Sequence, residues 1–248
     1  MVSLPPAKCC ATLGHIWNGE PTGKVTTFAQ VQTYISAPQE KQANPKVVLI
    51  LTDVFGIATP NPKLIADEIA KQGYTVLIPD LFAGNPYPVD AKWDEEGTKK
   101  FHEWHATMTS PVINERLLPV LEEVRKVYQP TSIGAAGYCF GAKYVVQLLA
   151  GQIDAGFIAH PTNVLKEEME QVKGPLFIAA AEVDNIFPLE KRNESELVLK
   201  EKKATYSIAL FGGVSHGFAT RGDPNNNKEK YAKEKALWDM LYWFQAYL

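Results

Sequence analysis

Gly137-Tyr138-Cys139-Phe140-Gly141 is the stretch on which the reading of this chain turns. Residues 131–136 ahead of it read as a short apolar strand, and residues 141–150 after it read as a helix. A pentapeptide of this shape, G-x-S-x-G with Cys in place of Ser, sits at a sharp strand-to-helix turn. The turn needs small neighbours on both sides so that strand and helix can approach, and Gly137 and Gly141 meet that need. It leaves the Cys139 sulfur at the start of a helix, where aligned N–H groups favour a thiolate. The bland alternative is a buried structural cysteine in a tight turn.

Outward from the elbow, strands and helices alternate. Residues 47–52, 75–78, 156–159, 176–180 and 205–211 are short apolar runs suited to strands covered on both faces. Helical spacing predicts helices over 63–72, 112–128, 189–202 and 228–247. Residues 39–46 read as a polar loop, and residues 83–110 as a loop or cap with short helices. With no internal repeat or dividing linker, the expectation is one domain over residues 1–248. Its fold class is α/β, an α/β-hydrolase fold with a mostly parallel central sheet flanked by helices.

That fold orders its reactive groups as nucleophile, acid, base. Downstream of Cys139, Glu182-Val183-Asp184 follows one strand, and a Gly-flanked loop containing His216 follows the last. His216 is the expected base. Asp184, past the strand end, is the expected acid, with Glu182 as the alternative. The N–H groups of Phe140 and Val54 are the expected oxyanion donors. Asp53, beside Val54, either restrains the Cys139 thiol by like-charge repulsion or is a carboxylate bonded to turn amides. Tyr138, in the elbow, is expected to contact substrate. His160, after a strand, is expected either there or capping backbone groups.

The chain has 248 residues, 46% hydrophobic and 21% charged, with a formal net charge of −3 and a pI near 6.0. No basic field points to nucleic acid, no apolar run is long enough to span a bilayer, and the N-terminus lacks a signal-peptide pattern. A cytoplasmic protein, monomer or homodimer, is expected. The vicinal Cys9-Cys10 pair reads as two incidental reduced thiols. His102-Glu103-Trp104-His105 is one residue short of the zinc motif H-E-x-x-H and reads as solvated or cap-packing. Neither the dinucleotide nor the Walker A spacing is present, so no cofactor or metal is expected.

Asp53-Val54-Phe55-Gly56, the elbow, Asp184 and His216-Gly217-Phe218 together resemble the dienelactone hydrolase (carboxymethylenebutenolidase) family. The likeness is to fungal-type members, with the Cys9-Cys10 start, the elbow continuing Ala142-Lys143, and Ala219 followed by Arg221-Gly222-Asp223. The resemblance implies a cofactor-free Cys139–His216–Asp184 triad acting on activated esters or enol-lactones. It implies that Asp53 contacts the resting thiol. It also implies that Arg221 matches one of two arginines holding a substrate carboxylate; residues 83–110 hold no match for the other. The alternatives are a thiol redox sensor, disfavoured because no second cysteine is near Cys139 in sequence, and a non-catalytic small-molecule binding protein.

Overall fold

Strands β1 (Lys24–Phe28), β2 (Val31–Ser36), β3 (Lys46–Leu51), β4 (Thr75–Pro79), β5 (Ser132–Tyr138), β6 (Ala155–Ala159), β7 (Leu176–Val183) and β8 (Tyr206–Ser215) form one sheet. The computed structural model describes residues 1–40 and 43–248. The spatial order is β1-β2-β4-β3-β5-β6-β7-β8. From β4 to β8 all neighbours pair in parallel, and β1 and β2 add an antiparallel edge. This is the expected mostly parallel sheet. Of the polar stretch 39–46, residues 41 and 42 lie outside the described residues.

The period-2 alternation of side chains builds the two faces. In β3, Val47, Leu49 and Leu51 enter one core, packed with α3 (Ser110–Tyr128), α4 (Phe140–Leu148) and α6 (Leu189–Glu201). Val48 and Ile50 enter the other, under α1 (Asn61–Lys71) and α8 (Asn227–Tyr247), while α5 (Lys166–Met169) and α7 (Phe218–Arg221) are single turns. β3 is thus apolar on both faces, as are its buried neighbours, which is why the central strands read as continuous apolar runs.

Two elements depart from the expectations. Residues 83–110 contain a full helix, α2 (Glu95–Thr107), whose N-cap Asp94 accepts the Gly97 N–H at 2.8 Å. The β1–β2 hairpin was not foreseen. Its two-residue turn is Ala29-Gln30, with φ of 49° and 65°. Such turns favour Asn-Gly because both positions need positive φ, and Ala-Gln carries no such signal. Replacing Ala29-Gln30 with Asn-Gly is expected to stabilise the protein by about 1 kcal/mol in urea unfolding. No gain would mean the turn relaxes from this geometry.

Candidate active site

The elbow joins β5 to α4 with Cys139 at φ 51° and ψ −109°. That is a conformation a side-chain-bearing residue holds only when its surroundings over-determine it. The Cys139 N–H donates to the Ala159 carbonyl at 3.0 Å, and the Gly141 N–H donates to the Thr52 carbonyl at 3.0 Å. A Cβ on Gly141 would stand 2.0 Å from the Leu51 carbonyl oxygen, and one on Gly137 would stand 2.7 Å from Ala142 Cα. Both glycines are there because backbone meets backbone. Gly141→Ala is expected to yield no soluble folded protein; a wild-type melting temperature for it would contradict this packing.

The C-terminal ends of neighbouring strands carry the partners, as in other parallel sheets. His216 follows the last residue of β8, and Asp184 follows the last residue of β7. Asp184 Oδ2 lies 2.8 Å from His216 Nδ1, while Asp184 Oδ1 accepts the N–H groups of Ile186 and Phe187 at 2.8 and 3.0 Å. Glu182 is still within β7, is exposed, and accepts the Gly213 N–H at 2.6 Å. The carboxylate at His216 is therefore that of Asp184.

Burial opposes charge on Cys139, but contact with the Cys10 thiol and the charge of His216 outweigh it, holding the thiol well below its ordinary pKa. Burial likewise opposes charge on His216. The Cys139 thiolate and the Asp184 hydrogen bond overcome it and raise the imidazole to about 10. Asp184 is lowered despite burial, chiefly by His216. Both shifts favour the thiolate–imidazolium form of the pair. The absorbance at 240 nm of wild type minus Cys139→Ser is therefore expected to persist at pH 7. It should vanish only in acid, as pH falls through the lowered Cys139 value. In His216→Ala the midpoint should rise toward the ordinary thiol range near about 8.5. A wild-type midpoint already there would remove the ion pair.

Cys10 is the residue that the sequence reading misjudged. Far from incidental, it is fully buried on the short 3-10 turn Lys8–Ala11, with its sulfur 3.5 Å from His216 Nε2. The Cys10 and Cys139 sulfurs and a His216 ring nitrogen lie within 4.8 Å of one another. The objection that Cys139 has no cysteine neighbour holds along the chain and fails in space. The first residues form a strap: the Val2 and Leu4 N–H groups donate to Val164 and Ile186 carbonyls, both at 2.9 Å. The side chains of Cys139, Asp184 and His216 are sealed from solvent.

Asp53 does not contact the thiol as a hydrogen-bond partner. Its Oδ1 accepts the Phe55 N–H at 3.0 Å and its Oδ2 pairs with Arg221 Nη1. Burial raises its pKa, with Arg221 opposing. Arg221 is correspondingly committed. It is buried, lies over the Phe55 ring at 5.2 Å, and donates from Nη2 to the Cys10 carbonyl at 3.3 Å. It is not the open substrate clamp the resemblance implied, because Asp53 already neutralises it.

Tyr138 also departs from expectation. Side chains alternate along β5, so its ring enters the core under α8 and its hydroxyl meets Met240 Sδ at 3.7 Å. It does not face the Cys139 side. His160 does reach the site, its ring edge-on to His216 at 4.9 Å between centroids. It is fully buried, and desolvation lowers its pKa to about 4, so it is neutral.

Phe140 opens α4, where a helix N–H has no partner one turn back. The turn bonds of Asp53, Phe55 and Gly56 leave the Val54 N–H outside them. Both amides therefore remain candidates for an oxyanion. The cap packs over this edge, with Phe82 against Phe140 at 5.3 Å and Trp104 against Phe82 at 5.4 Å. His105, from the H-E-W-H stretch, stands edge-on to Phe140 at 6.2 Å. Among the described residues, the side chains that converge as metal ligands are Cys10, Cys139 and His216, not His102 and His105.

The sheet order, the elbow and the strand-end partners place the protein among the α/β-hydrolases. A profile of the dienelactone hydrolase family matches residues 31–248. Hydrolase pyvD of Aspergillus violaceofuscus is 41% identical over all of this chain and 99% of its own. Hydrolase tropI of Talaromyces stipitatus is 40% identical over 100% and 99%. A dienelactone hydrolase crystal structure from Anabaena variabilis superposes with a TM-score of 0.67 at 14% identity, covering 93% of this chain and all of that one. This chain belongs to the dienelactone hydrolase family and is a hydrolase. No helix among the described residues is long and apolar enough to cross a membrane.

Proposed function

We propose that the protein hydrolyses activated esters or lactones by a Cys139–His216–Asp184 mechanism that needs no cofactor. The observation that carries this reading is the Asp184 Oδ2 to His216 Nδ1 contact of 2.8 Å. It leaves Nε2 facing the buried sulfurs of Cys10 and Cys139.

The Cys139 thiolate attacks the carbonyl carbon, and the oxyanion forms against the Phe140 and Val54 amides. When the tetrahedral intermediate collapses, the carbon–oxygen bond breaks, and the imidazolium can supply the leaving oxygen's proton. Neutral His216 then takes a proton from water, which attacks the thioester and releases acid and thiolate. Asp184 holds the ring in one tautomer and supports its positive form.

Leaving-group chemistry narrows the substrate. A thiolate departs easily, so the first intermediate returns to substrate unless the other leaving group is comparably good. Enolates and phenolates qualify; alkoxides of simple alkyl esters do so poorly. A panel of phenyl esters, enol-lactones and alkyl esters, with Cys139→Ala as the control, tests this. The expected result is turnover of the first two, little of the third, and none in the variant. Equal turnover of ethyl and p-nitrophenyl acetate would refute the leaving-group argument.

Because Cys139 is fully buried, substrate reaches the sulfur only when part of the surrounding structure shifts. Trp104 is the cap residue best placed to matter. It packs at a tilt against Phe82, which in turn packs against Phe140, and it lines a cavity of about 540 Å³ with Tyr87 and Lys100.

A further inference from the structure

Cys10 is the member of the buried cluster that hydrolysis leaves unused. Its sulfur lies 3.5 Å from His216 Nε2, and the three donor atoms of Cys10, Cys139 and His216 fall within 4.8 Å of one another. Zinc takes thiolate at about 2.3 Å and imidazole nitrogen at about 2.0–2.1 Å in tetrahedral array. One sulfur and one nitrogen on such an ion stand about 3.6 Å apart, close to the Cys10–His216 separation.

Two further observations point the same way. Asp184 holds His216 Nδ1 at 2.8 Å, the carboxylate-behind-imidazole arrangement that orients a ligating histidine through its other nitrogen. His160 is fully buried, and its ring nitrogens make no hydrogen bond of normal geometry, although the ring lies against the Cys139 sulfur. Unpartnered burial of a polar group costs free energy, and a bond to an ion would relieve it. The His160 ring is 4.9 Å from that of His216.

We propose that Cys10, Cys139 and His216 form a three-donor binding site for a zinc-class divalent cation, with the His160 ring beside it, and that occupancy switches the nucleophile off. Binding releases two protons, one from Cys10 and the one held between Cys139 and His216; nothing is oxidised. The ion takes the sulfur lone pair that would attack the carbonyl and the nitrogen that would move the proton. Two thiolates select Zn²⁺ over the hard, oxygen-seeking Mg²⁺ and Ca²⁺. The effect on activity rests on the triad reading proposed above; binding does not.

The test uses the reduced full-length protein titrated with Co²⁺ as a spectroscopic probe, then with Zn²⁺ in competition. The expected result is a sulfur-to-cobalt charge-transfer band saturating at one equivalent. Zn²⁺ should displace it, and excess Mg²⁺ should not. Asp184→Asn should weaken binding by roughly 10–100-fold, and Cys10→Ser or Cys10→Ala by at least as much. Circular dichroism of each variant separates lost binding from lost folding. Absence of the band in wild type, or undiminished affinity in folded Cys10→Ser, overturns the site. Zn²⁺ bound at one equivalent with ester turnover unaffected overturns the switch, and with it the role of Cys139, while the site stands.

Discussion

His216→Ala is expected to lower kcat/KM on p-nitrophenyl acetate by about ten thousand-fold or more. The loss should fall mainly on kcat, because the imidazole acts on protons in flight and holds little of the substrate. Cys139→Ala should fall equally far. The double variant should be no worse than either single one, since residues of one reacting unit do not contribute additively. Asp184→Asn should cost roughly ten thousand-fold as well, through loss of the tautomer that presents Nε2 to the sulfur. Glu182→Gln is the contrasting case. Glu182 caps the Gly213 amide in an exposed part of the sheet end, so activity should stay within a few-fold of wild type. Full turnover in His216→Ala, or a large loss in Glu182→Gln with Asp184→Asn active, would discard the proposed triad.

Arg221→Ala is expected to destabilise the protein by about 3–5 kcal/mol in urea unfolding. The guanidinium is the counter-charge of Asp53, and both side chains are nearly inaccessible. Removing it leaves a buried carboxylate facing only the Phe55 amide and the Thr220 hydroxyl. Such a charge is costly where water cannot reach. Arg221→Leu combined with Asp53→Asn should recover much of the loss, because no unpaired charge remains. Arg221→Ala with wild-type stability would mean the pair is solvated in solution. The same geometry changes how activity data on this residue are read. A drop in turnover of a carboxylate-bearing lactone would report damage to the site floor unless stability is measured beside it.

The parts of the site that were legible in the sequence are those set by local backbone geometry. The elbow could be read because a strand-to-helix turn of this tightness admits only glycine at 137 and 141, and the structure gives the steric reason at both. Asp184 could be preferred to Glu182 because the apolar run ends before it, although β7 extends three residues beyond the predicted run of 176–180. His216 could be placed because a strand of ten residues, ending at Ser215, delivers it to the same edge. The hairpin of β1 and β2 escaped notice for the converse reason. Its turn adopts the geometry without the residues that usually announce it, and β1 is largely exposed, so no apolar alternation marks it.

By itself, then, the sequence determined the parallel part of the sheet, the elbow and the chain order of Cys139, Asp184 and His216, since periodicity and turn chemistry report on residues that are chain neighbours. Tertiary structure alone decided which side chains from distant segments share the buried space around Cys139. It brought Cys10 from the N-terminal strap onto His216, closed Asp53 onto Arg221, and turned Tyr138 to the far face of the sheet. Those outcomes depend on the path of loops and on which charge finds a partner when water is excluded, and no local pattern of residues encodes either.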